Sequence, residues 1–490
     1  MERLIRTGTV PFRTALEIER SRLGIGFEKL DRAVFDPEKA YDKLGDIGVK
    51  YVRIQSGWAR TERQKGTYDF AWLDDIVNNL LRRGLIPWLN LVYGNEVYSP
   101  YAARYFGNVG CPPIHSAEEL QAWCEYVRQT VRHYQGKITC YEIWNEPDYT
   151  FSWRHPEQAW VDGKDPGPSA KEYAHFCIET AKTIREADRN AKVIGFALGN
   201  PNDHSYVNTA LAEGLGDYID AISLHIYQAD DINRPDLFRN MRKLIDRYNP
   251  DIRLIQGEAG AQTRSDGAGA MHGFAWTPER QMKYLLRGTI HDLASEVVFT
   301  SYFSTMDMIE ALHGLNADKA SYLDYGYFGV LSADFDENGV ATGEYRPKPS
   351  YTALRTLAAL FPGEVRNAEL PVIPTSLPSR RVNGNDCTDG TIQTYGFEKP
   401  DGSCALVYWN SVPLLTSTYD GTISFKAYGF DAAQIQLVDL RDGTVYRLPE
   451  NMTEGHGNGE LWLKNLPLTD CPLMLSFDGF APCRCGDAAC

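Results

Sequence analysis

The sequence predicts an α/β protein made of a closed (β/α)₈ barrel followed by a C-terminal antiparallel β-sandwich. Two observations carry this prediction. From residue 21 to residue 361, apolar runs of strand length alternate eight times with segments of helical periodicity. After residue 361 the helical periodicity stops, and short β-rich runs separated by "PDG", "YDG" and "RDG" turns take its place.

The eight candidate barrel strands are apolar over most of their length rather than alternating. This pattern is typical of parallel strands covered by helices on one side and by a packed interior on the other. The strands are expected at 22–29, 50–56, 86–93, 138–145, 192–199, 221–228, 252–259 and 296–303.

The segments between these strands carry helix signals. Asp36, followed by a proline, is typical of an N-cap. Ser116 with Glu119, and Ser169 with Glu172, match a capping box, in which each side chain is expected to bind the backbone N–H of the other residue. Eight βα units in a row favour a closed barrel over an open doubly wound sheet.

The chain is divided on this basis into four parts. Residues 1–20 are an N-terminal extension that could add a strand to the sandwich, residues 21–361 the barrel, and residues 362–482 the sandwich. Residues 483–490 form a cysteine-containing tail. Its Cys483, Cys485 and Cys490 could bind a metal or oxidise, although a frayed tail is the simpler interpretation.

Composition excludes several classes of function. A net charge of −15 and the lack of a basic stripe argue against a nucleic-acid partner. No apolar run is long enough to predict a membrane span, and the polar N-terminus does not resemble a signal peptide, so a cytoplasmic location is expected. Scattered cysteines do not imply a disulfide framework. Homo-oligomerisation through the sandwich stays open.

Two glutamates stand at the ends of predicted strands. Active sites of such barrels lie at the C-terminal ends of the strands. Glu146 ends the fourth strand in "CYEIWNEPDY", and Glu258 ends the seventh in "IRLIQGEA". Two carboxylates about 5–5.5 Å apart suit retaining glycoside hydrolysis, whereas a wider gap suits inversion. The alternative is a pair of ordinary solvated carboxylates.

Four motifs in this order resemble glycoside hydrolase clan A. They are "YVRIQSGW" on the second strand, "IWNEPD" on the fourth, "SLHIY" on the sixth and "IQGEAG" on the seventh. Within the clan the chain looks most like family thirty-nine, the family of β-xylosidases and α-L-iduronidases. That likeness rests on "EIWNEPD", on the appended sandwich and on "RPKPSYTALRTLAALF".

The resemblance implies a role for each matching residue. Glu146 would be the general acid/base and Glu258 the nucleophile, with Asn145 holding the sugar 2-hydroxyl. Tyr227 would donate a hydrogen bond to Glu258, and Arg53 would lie near the same carboxylate. Both groups would favour the charged form of a nucleophile.

Further candidates have simpler alternatives. His225 would line the site, or would be a satisfied interior histidine. A strand-end tryptophan that the clan commonly places beneath the sugar is replaced here by Tyr302 and its neighbour Phe303. Other candidate sugar contacts, each with packing or a loop salt bridge as the alternative, are Glu28, Asp31, Trp58, Asn95, Glu96, Trp153, Trp160 and Trp276.

These observations predict an enzyme, a retaining glycoside hydrolase that cleaves β-xylosides, β-glucosides or β-galactosides by double displacement. A carbohydrate is the expected substrate, and neither a cofactor nor a metal is expected. The alternatives are an α-L-iduronidase-like, α-L-arabinosidase-like or endo-acting glycosidase of the same clan. A barrel that binds carbohydrate without cleaving it is the non-enzymatic alternative.

Overall fold

The computed structural model describes residues 4–295, 297–375 and 392–485, together with the backbone of a hairpin formed by Arg380–Val382 and Asn385–Cys387. Its centre is a closed barrel of eight parallel strands, so the predicted fold class is confirmed. The strands are β1 (Leu23–Gly26), β2 (Tyr51–Gln55), β3 (Ile86–Leu91), β4 (Cys140–Ile143), β5 (Lys192–Leu198), β6 (Ala221–His225), β7 (Arg253–Ala259) and β8 (Thr300–Tyr302).

Helices surround the barrel in the predicted alternation. They are α1 (Tyr41–Ile47), the short α2 (Trp58–Thr61), α3 (Ala71–Arg82), α4 (Ala117–His133), α5 (Ala170–Ala187), α6 (His204–Ala212), α7 (Arg234–Ile245), α8 (Pro278–Ala294) and α9 (Pro349–Leu360). Apolar side chains of the strands and the inner helix faces form one continuous core. None of the helices in the described part of the chain has the length and apolar character needed to cross a membrane.

The helix N-termini differ from prediction in one respect. The hydroxyls of Ser116 and Ser169 accept from the third residue of their helices, as a capping box requires. The carboxylates of Glu119 and Glu172 do not accept from the backbone N–H of these serines, because residues of the preceding loops donate to them instead. Glu119 accepts from the backbone N–H of His115, and Glu172 accepts from the indole N–H of Trp153. Asp36 caps a 3₁₀ turn, and α1 begins only at residue 41.

The C-terminal region consists of two antiparallel sheets packed face to face, which confirms the sandwich. The four-stranded sheet contains Val372–Pro374, Asp420–Tyr428, Glu460–Thr469 and Thr453–Gly455. The eight-stranded sheet contains, in spatial order, Arg366–Asn367, Ile392–Glu398, Cys404–Asn410, Leu473–Phe477, Gln436–Asp439, Thr444–Arg447, Ile5–Thr9 and Arg484–Cys485. A separate apolar core lies between them.

Both chain ends contribute to the larger sheet. Ile5–Thr9 pairs antiparallel with Thr444–Arg447 on one side and with Arg484–Cys485 on the other. The Sγ of Cys483 lies 3.9 Å from the hydroxyl of Thr7. Cys490 falls outside the described residues. Two hairpins, Met308–Ile309 with Tyr325–Gly326 and Leu331–Phe335 with Ala341–Pro347, extend the segment after β8.

Buried polar contacts join the sandwich to the barrel through α8. The Nζ of Lys283 lies 2.9 Å from Asp470 Oδ2, and the guanidinium of Arg287 donates to the Asp470 carbonyl at 2.6 and 2.8 Å. His291 Nδ1 lies 2.9 Å from the hydroxyl of Tyr395. Since unpaired buried charges are costly, these contacts fix the sandwich on the side of the barrel rather than over its mouth.

Candidate active site

The chain after β4 holds Glu146 at the barrel rim in an unusual backbone conformation. Trp144 and Glu146 both have positive φ angles, of 66° and 48°. Such angles cost non-glycine residues on the order of 1–3 kcal/mol, so surrounding contacts must hold them. The indole of Trp144 donates to the Ser152 carbonyl at 2.7 Å, and the Glu146 N–H donates to the Ala197 carbonyl at 2.9 Å. The Glu146 side chain keeps 12% exposure, enough to meet a substrate.

Glu258 lies at the end of β7 with a donor on each carboxylate oxygen. The hydroxyl of Tyr227 donates to Oε1 at 2.5 Å, and Nη1 of Arg53 donates to Oε2 at 2.7 Å. Charge-assisted hydrogen bonds of this kind are short and directional. They fix the orientation of the carboxylate, as a group that attacks a carbon atom requires.

Arg53 on β2 is the centre of the site. It is fully buried, and its Nε and Nη2 lie 2.7 and 2.6 Å from Glu142 Oε2. Nη1 lies 3.0 Å from Glu28 Oε1 as well as bonding Glu258. Nη2 donates at 2.8 Å to Asn145 Oδ1, which leaves the Nδ2 hydrogens of that amide for a ligand. One rigid guanidinium therefore positions the residues at the ends of β1, β4 and β7.

The two strand-end carboxylates face each other across His225. Its Nδ1 lies 3.1 Å from Glu146 Oε1 and 3.6 Å from Glu258 Oε2, and one polar atom of each of the three residues lies within 4.8 Å of the others. These two oxygens are closer together than the 6.5–9.5 Å that separates the carboxyl groups of an inverting enzyme. The three donor atoms could surround a divalent ion, but the Arg53 cation on Glu258 would repel it.

Burial dominates the titration of both carboxyl groups. It raises the pKa of Glu146 to about 8, assisted by the nearby charge of Asp148, and the pKa of Glu258 to about 7. Arg53 lowers both pKa values, in the direction expected for Glu258, but it does not outweigh burial. Burial lowers the pKa of His225, so its ring is neutral near pH 7. The two carboxyl groups differ in their donors, since Tyr227 and Arg53 both donate to Glu258 and so favour its ionised form.

Most of the predicted polar residues meet at this one place. Glu146, Glu258, Asn145, Arg53, His225 and Tyr227 form a connected network. Glu28 joins it through Arg53 and is itself buried. On β6 and β7, His225 is the direct neighbour of Glu258, so the barrel register itself creates part of the site.

The predicted tryptophan contacts Trp58 and Trp153 lie elsewhere. Trp58 is fully buried, donates to Glu62 at 2.7 Å and stacks on Tyr98. Trp153 is fully buried against Trp144 and α5. Both rings fill the space between loops and helices, so neither presents a face to a sugar.

Trp276 and Tyr302 are also core residues. Trp276 donates its indole N–H to the Met271 carbonyl at 2.9 Å, and the Tyr302 hydroxyl lies 3.5 Å from the Ala261 carbonyl. At the end of β8 it is Phe303 that approaches the site, with its ring 6.4 Å from that of Tyr227. Because side chains of a strand alternate in direction, only one of these two neighbours can point into the mouth.

Three residues of the site were not predicted. Glu142 lies inside the buried strand β4. A charged residue within an otherwise apolar strand needs a buried partner, and this pattern in the sequence could have predicted its role. Tyr93 follows β3, packs edge to face on Trp144 at 5.6 Å, and has a raised pKa owing chiefly to burial. Lys29 pairs with Glu310 at 3.1 Å beside Phe303. The last two are loop residues whose positions depend on the fold.

The glutamates at the ends of the fourth and seventh strands of the barrel, with an arginine and a tyrosine on the second glutamate, match the arrangement that the resemblance to clan A implies. The model of glycosyl hydrolases family 39 matches residues 32–250, from the loop after β1 to the loop before β7. The resemblance to family 39 is thereby confirmed, and the protein is a glycoside hydrolase. None of the curated protein sequences matches the chain.

Solved structures with the same fold include enzymes of this family. A family 39 glycoside hydrolase from Bacteroides cellulosilyticus WH2 has a TM-score of 0.64 at 17% identity, over 93% of this chain and 81% of that one. A family 39 enzyme from Xanthomonas axonopodis pv. citri has a TM-score of 0.59 at 15% identity, over 96% and 95%. A monomeric β-xylosidase from Caulobacter crescentus CB15 has a TM-score of 0.56 at 15% identity, over 96% and 97%. At such identities the likeness concerns the fold.

Proposed function

We propose that the protein is a retaining β-glycosidase that cleaves short β-xylosides by double displacement. The observation that carries the proposal is the close pair of carboxylates, with oxygens of Glu146 and Glu258 within 4.8 Å. This separation leaves no place for a water on the far side of the sugar, and it suits direct attack by a carboxylate.

In the first step Glu258 attacks the anomeric carbon. The bond from that carbon to the glycosidic oxygen breaks, and Glu146 gives its proton to the departing oxygen. The two roles follow from the surroundings, because Tyr227 and Arg53 donate to Glu258 and favour its ionised form, whereas burial and the charge of Asp148 favour the protonated form of Glu146. Asn145, held by Arg53 through its Oδ1, donates from Nδ2 to the sugar 2-hydroxyl, where charge develops in the transition state.

In the second step water releases the sugar. Once Glu258 has become an ester, its negative charge is gone, and the pKa of Glu146 falls. The now ionised Glu146 takes a proton from water, whose oxygen attacks the anomeric carbon and expels the carboxylate of Glu258. Two inversions restore the configuration of the substrate.

The β-xyloside is favoured because a structural neighbour is a β-xylosidase. β-Glucosides and β-galactosides are the next candidates, followed by α-L-iduronides, α-L-arabinosides and endo-cleavage of longer chains. A panel of nitrophenyl glycosides ranks these substrates directly by kcat/KM. The sugar that gives the highest value identifies the glycone.

Covalent labelling tests the mechanism. A 2-deoxy-2-fluoro-β-xylosyl fluoride is expected to inactivate the enzyme and to add one sugar mass to the peptide that carries Glu258. Proton NMR of the first product from a β-xyloside is expected to show the β-anomer. Release of the α-anomer first would refute retention, and a label on another carboxylate would refute the assignment of the nucleophile.

A further inference from the structure

A second cavity opens on the same face of the barrel as the carboxylate pair. It lies among the loops after β1, β2 and β3 and has a volume of about 520 Å³. We call it the arginine groove and define it by five of its lining residues, which are Arg32, Arg60, Arg63, Glu96 and Asn108. The proposed reaction does not use it.

One layer of side chains separates the arginine groove from the reaction centre. The guanidinium carbon of Arg32 lies 5.6 Å from the ring centroid of Tyr93, and Tyr93 packs against Trp144 at the end of β4. Arg32 also donates to Gln55, two residues after Arg53 on β2. The groove is therefore close enough to Glu146 and Glu258 for an oligosaccharide to span both places.

The lining of the groove carries three arginines against two carboxylates, of Asp31 and Glu96. Asp31 pairs with Arg32 at 3.3 Å. In the described part of the chain, neither Arg60 nor Arg63 has a carboxylate within ion-pair distance. Burial lowers the pKa of Arg60 and the charge of Arg63 adds to this effect, while the more distant carboxylates of Asp31 and Asp69 oppose it. Two neighbouring unpaired guanidinium groups are unusual in a chain of net charge −15, and an anion between them would be stabilised.

Arg60 is held in place for such a contact. Its guanidinium stacks on the ring of Trp72 at 4.3 Å, and its Nη1 donates to the Leu30 carbonyl. A planar guanidinium that is already ordered loses little entropy when it binds a carboxylate in a forked geometry. Arg63 is exposed and free to close on the same ligand.

The groove also offers a buried acceptor. Asn108 is only 6% exposed and donates from Nδ2 to Glu96 Oε2 at 2.8 Å. Its Oδ1 has no hydrogen-bond partner among the described residues. Buried polar atoms are nearly always paired, so this oxygen is suited to receive a hydroxyl group of a ligand.

We infer that the arginine groove binds a uronate residue of the substrate, with Arg60 and Arg63 on its carboxylate and Asn108 on a sugar hydroxyl. This inference rests on the proposed glycosidase function and deepens it. The preferred substrates are then acidic oligosaccharides rather than neutral ones, although the reaction centre itself cleaves a neutral glycoside.

The test compares a matched pair of substrates with the full-length protein. One is a xylo-oligosaccharide that carries a glucuronate, and the other is the same molecule with its carboxylate reduced to an alcohol. We measure kcat/KM by product release and Kd by calorimetry on the Glu258→Gln variant, at low and at high ionic strength. At low ionic strength, we expect the acidic substrate to have a kcat/KM about tenfold higher and a Kd about tenfold lower than the reduced one. Both differences are expected to shrink at high ionic strength.

Arg63→Gln is the informative variant, because Arg63 is exposed and outside the proposed catalytic machinery. For the acidic substrate, we expect kcat/KM of this variant to fall about fivefold and Kd to rise about fivefold. For the reduced substrate, we expect neither value to change. The control is Arg189→Gln, an equally exposed arginine in the loop between α5 and β5, at the opposite end of the barrel. It is expected to change neither.

Three outcomes overturn the inference. They are equal kcat/KM and Kd for the two substrates, a preference that Arg63→Gln leaves intact, and a loss in Arg63→Gln that is the same for both substrates. Failure to cleave any β-xyloside counts against the proposed function instead. In that case the calorimetric comparison still decides the groove, since a uronate preference in Kd supports it and the lack of one refutes it.

Discussion

Replacing Glu146 by glutamine removes the proton donor of the proposed mechanism and leaves the shape of the site unchanged. Glutamine keeps an oxygen near His225 Nδ1, now 3.1 Å from Glu146 Oε1, and the backbone contact to Ala197 is unaffected. The charge network of Arg53 does not include Glu146 as a direct partner, so it stays intact.

The size of the effect follows from the pKa of Glu146. With a pKa of about 8, about 90% of this group carries its proton at pH 7, whereas less than about 1% of an ordinary glutamate does. General acid catalysis by a placed group contributes roughly 10²–10⁴-fold. We therefore expect Glu146→Gln to lower kcat/KM by roughly 10³-fold for an alkyl β-xyloside, and by less than about tenfold for dinitrophenyl β-xyloside, whose leaving group needs no proton.

The assay is a series of aryl and alkyl xylosides ordered by the pKa of the leaving group. The variant is expected to show a steep dependence of log kcat/KM on that pKa, and the wild type a shallow one. Sodium azide is expected to restore turnover of the dinitrophenyl substrate and to yield β-xylosyl azide, because an anionic nucleophile needs no general base. Glu310→Gln, a change at another buried carboxyl of the mouth, serves as control and should keep the shallow dependence.

An equal loss of activity on alkyl and dinitrophenyl xylosides would refute this assignment of the acid. So would formation of α-xylosyl azide, because azide would then have attacked from the wrong face. A third result would also refute it, namely a fall in kcat/KM at high pH that persists in Glu146→Gln with the dinitrophenyl substrate.

Further predictions concern the same site. The pH profile of kcat/KM should rise as Glu258 ionises near pH 7 and fall as Glu146 ionises near pH 8, and a profile that peaks below pH 5 would contradict it. Glu258→Gln should be inactive on every leaving group and should not be labelled by the fluoro sugar; turnover of the dinitrophenyl substrate would contradict this. Asn145→Ala should cost roughly 10–100-fold with a β-xyloside and almost nothing with its 2-deoxy analogue, so an equal loss on both would exclude the 2-hydroxyl contact. Because the pKa of Glu146 is raised in the folded protein, the free energy of unfolding falls as the pH rises from 4.5 towards 8. Calorimetry should therefore find a higher melting temperature for Glu146→Gln than for the wild type above pH 8, but not below pH 4.5.

The carboxylate pair could be predicted because its position follows from topology. Parallel strands in a closed barrel all end on one face, so a glutamate at the end of β4 and another at the end of β7 must point to the same mouth. The same argument covers Arg53 on β2 and His225 on β6. None of these predictions needed the detailed packing of a loop.

The aromatic contacts could not be predicted, because their positions depend on local packing and not on the topology of the barrel. Trp58 begins the short helix α2 and Trp153 stands in the loop after β4. A ring at such a place either covers a sugar or fills a gap between helices, depending on packing that the local sequence does not contain. Tyr302 and Phe303 illustrate the finer limit, since one step along the chain exchanges the ring beside the Ala261 carbonyl for the ring beside Tyr227. The arginine groove brings together three separate loops and has no sequence motif.

The position of Glu142 explains how Arg53 stays in place while the charge of Glu258 changes. Arg53 contacts three buried carboxylates, of Glu28, Glu142 and Glu258. When Glu258 becomes an ester in the proposed mechanism, it no longer attracts the guanidinium as an anion. Glu142 keeps both of its close contacts to Arg53, so the cation remains paired and buried. Asn145 accordingly keeps its orientation towards the 2-hydroxyl through both steps, because the Nη2 atom that fixes its amide does not move.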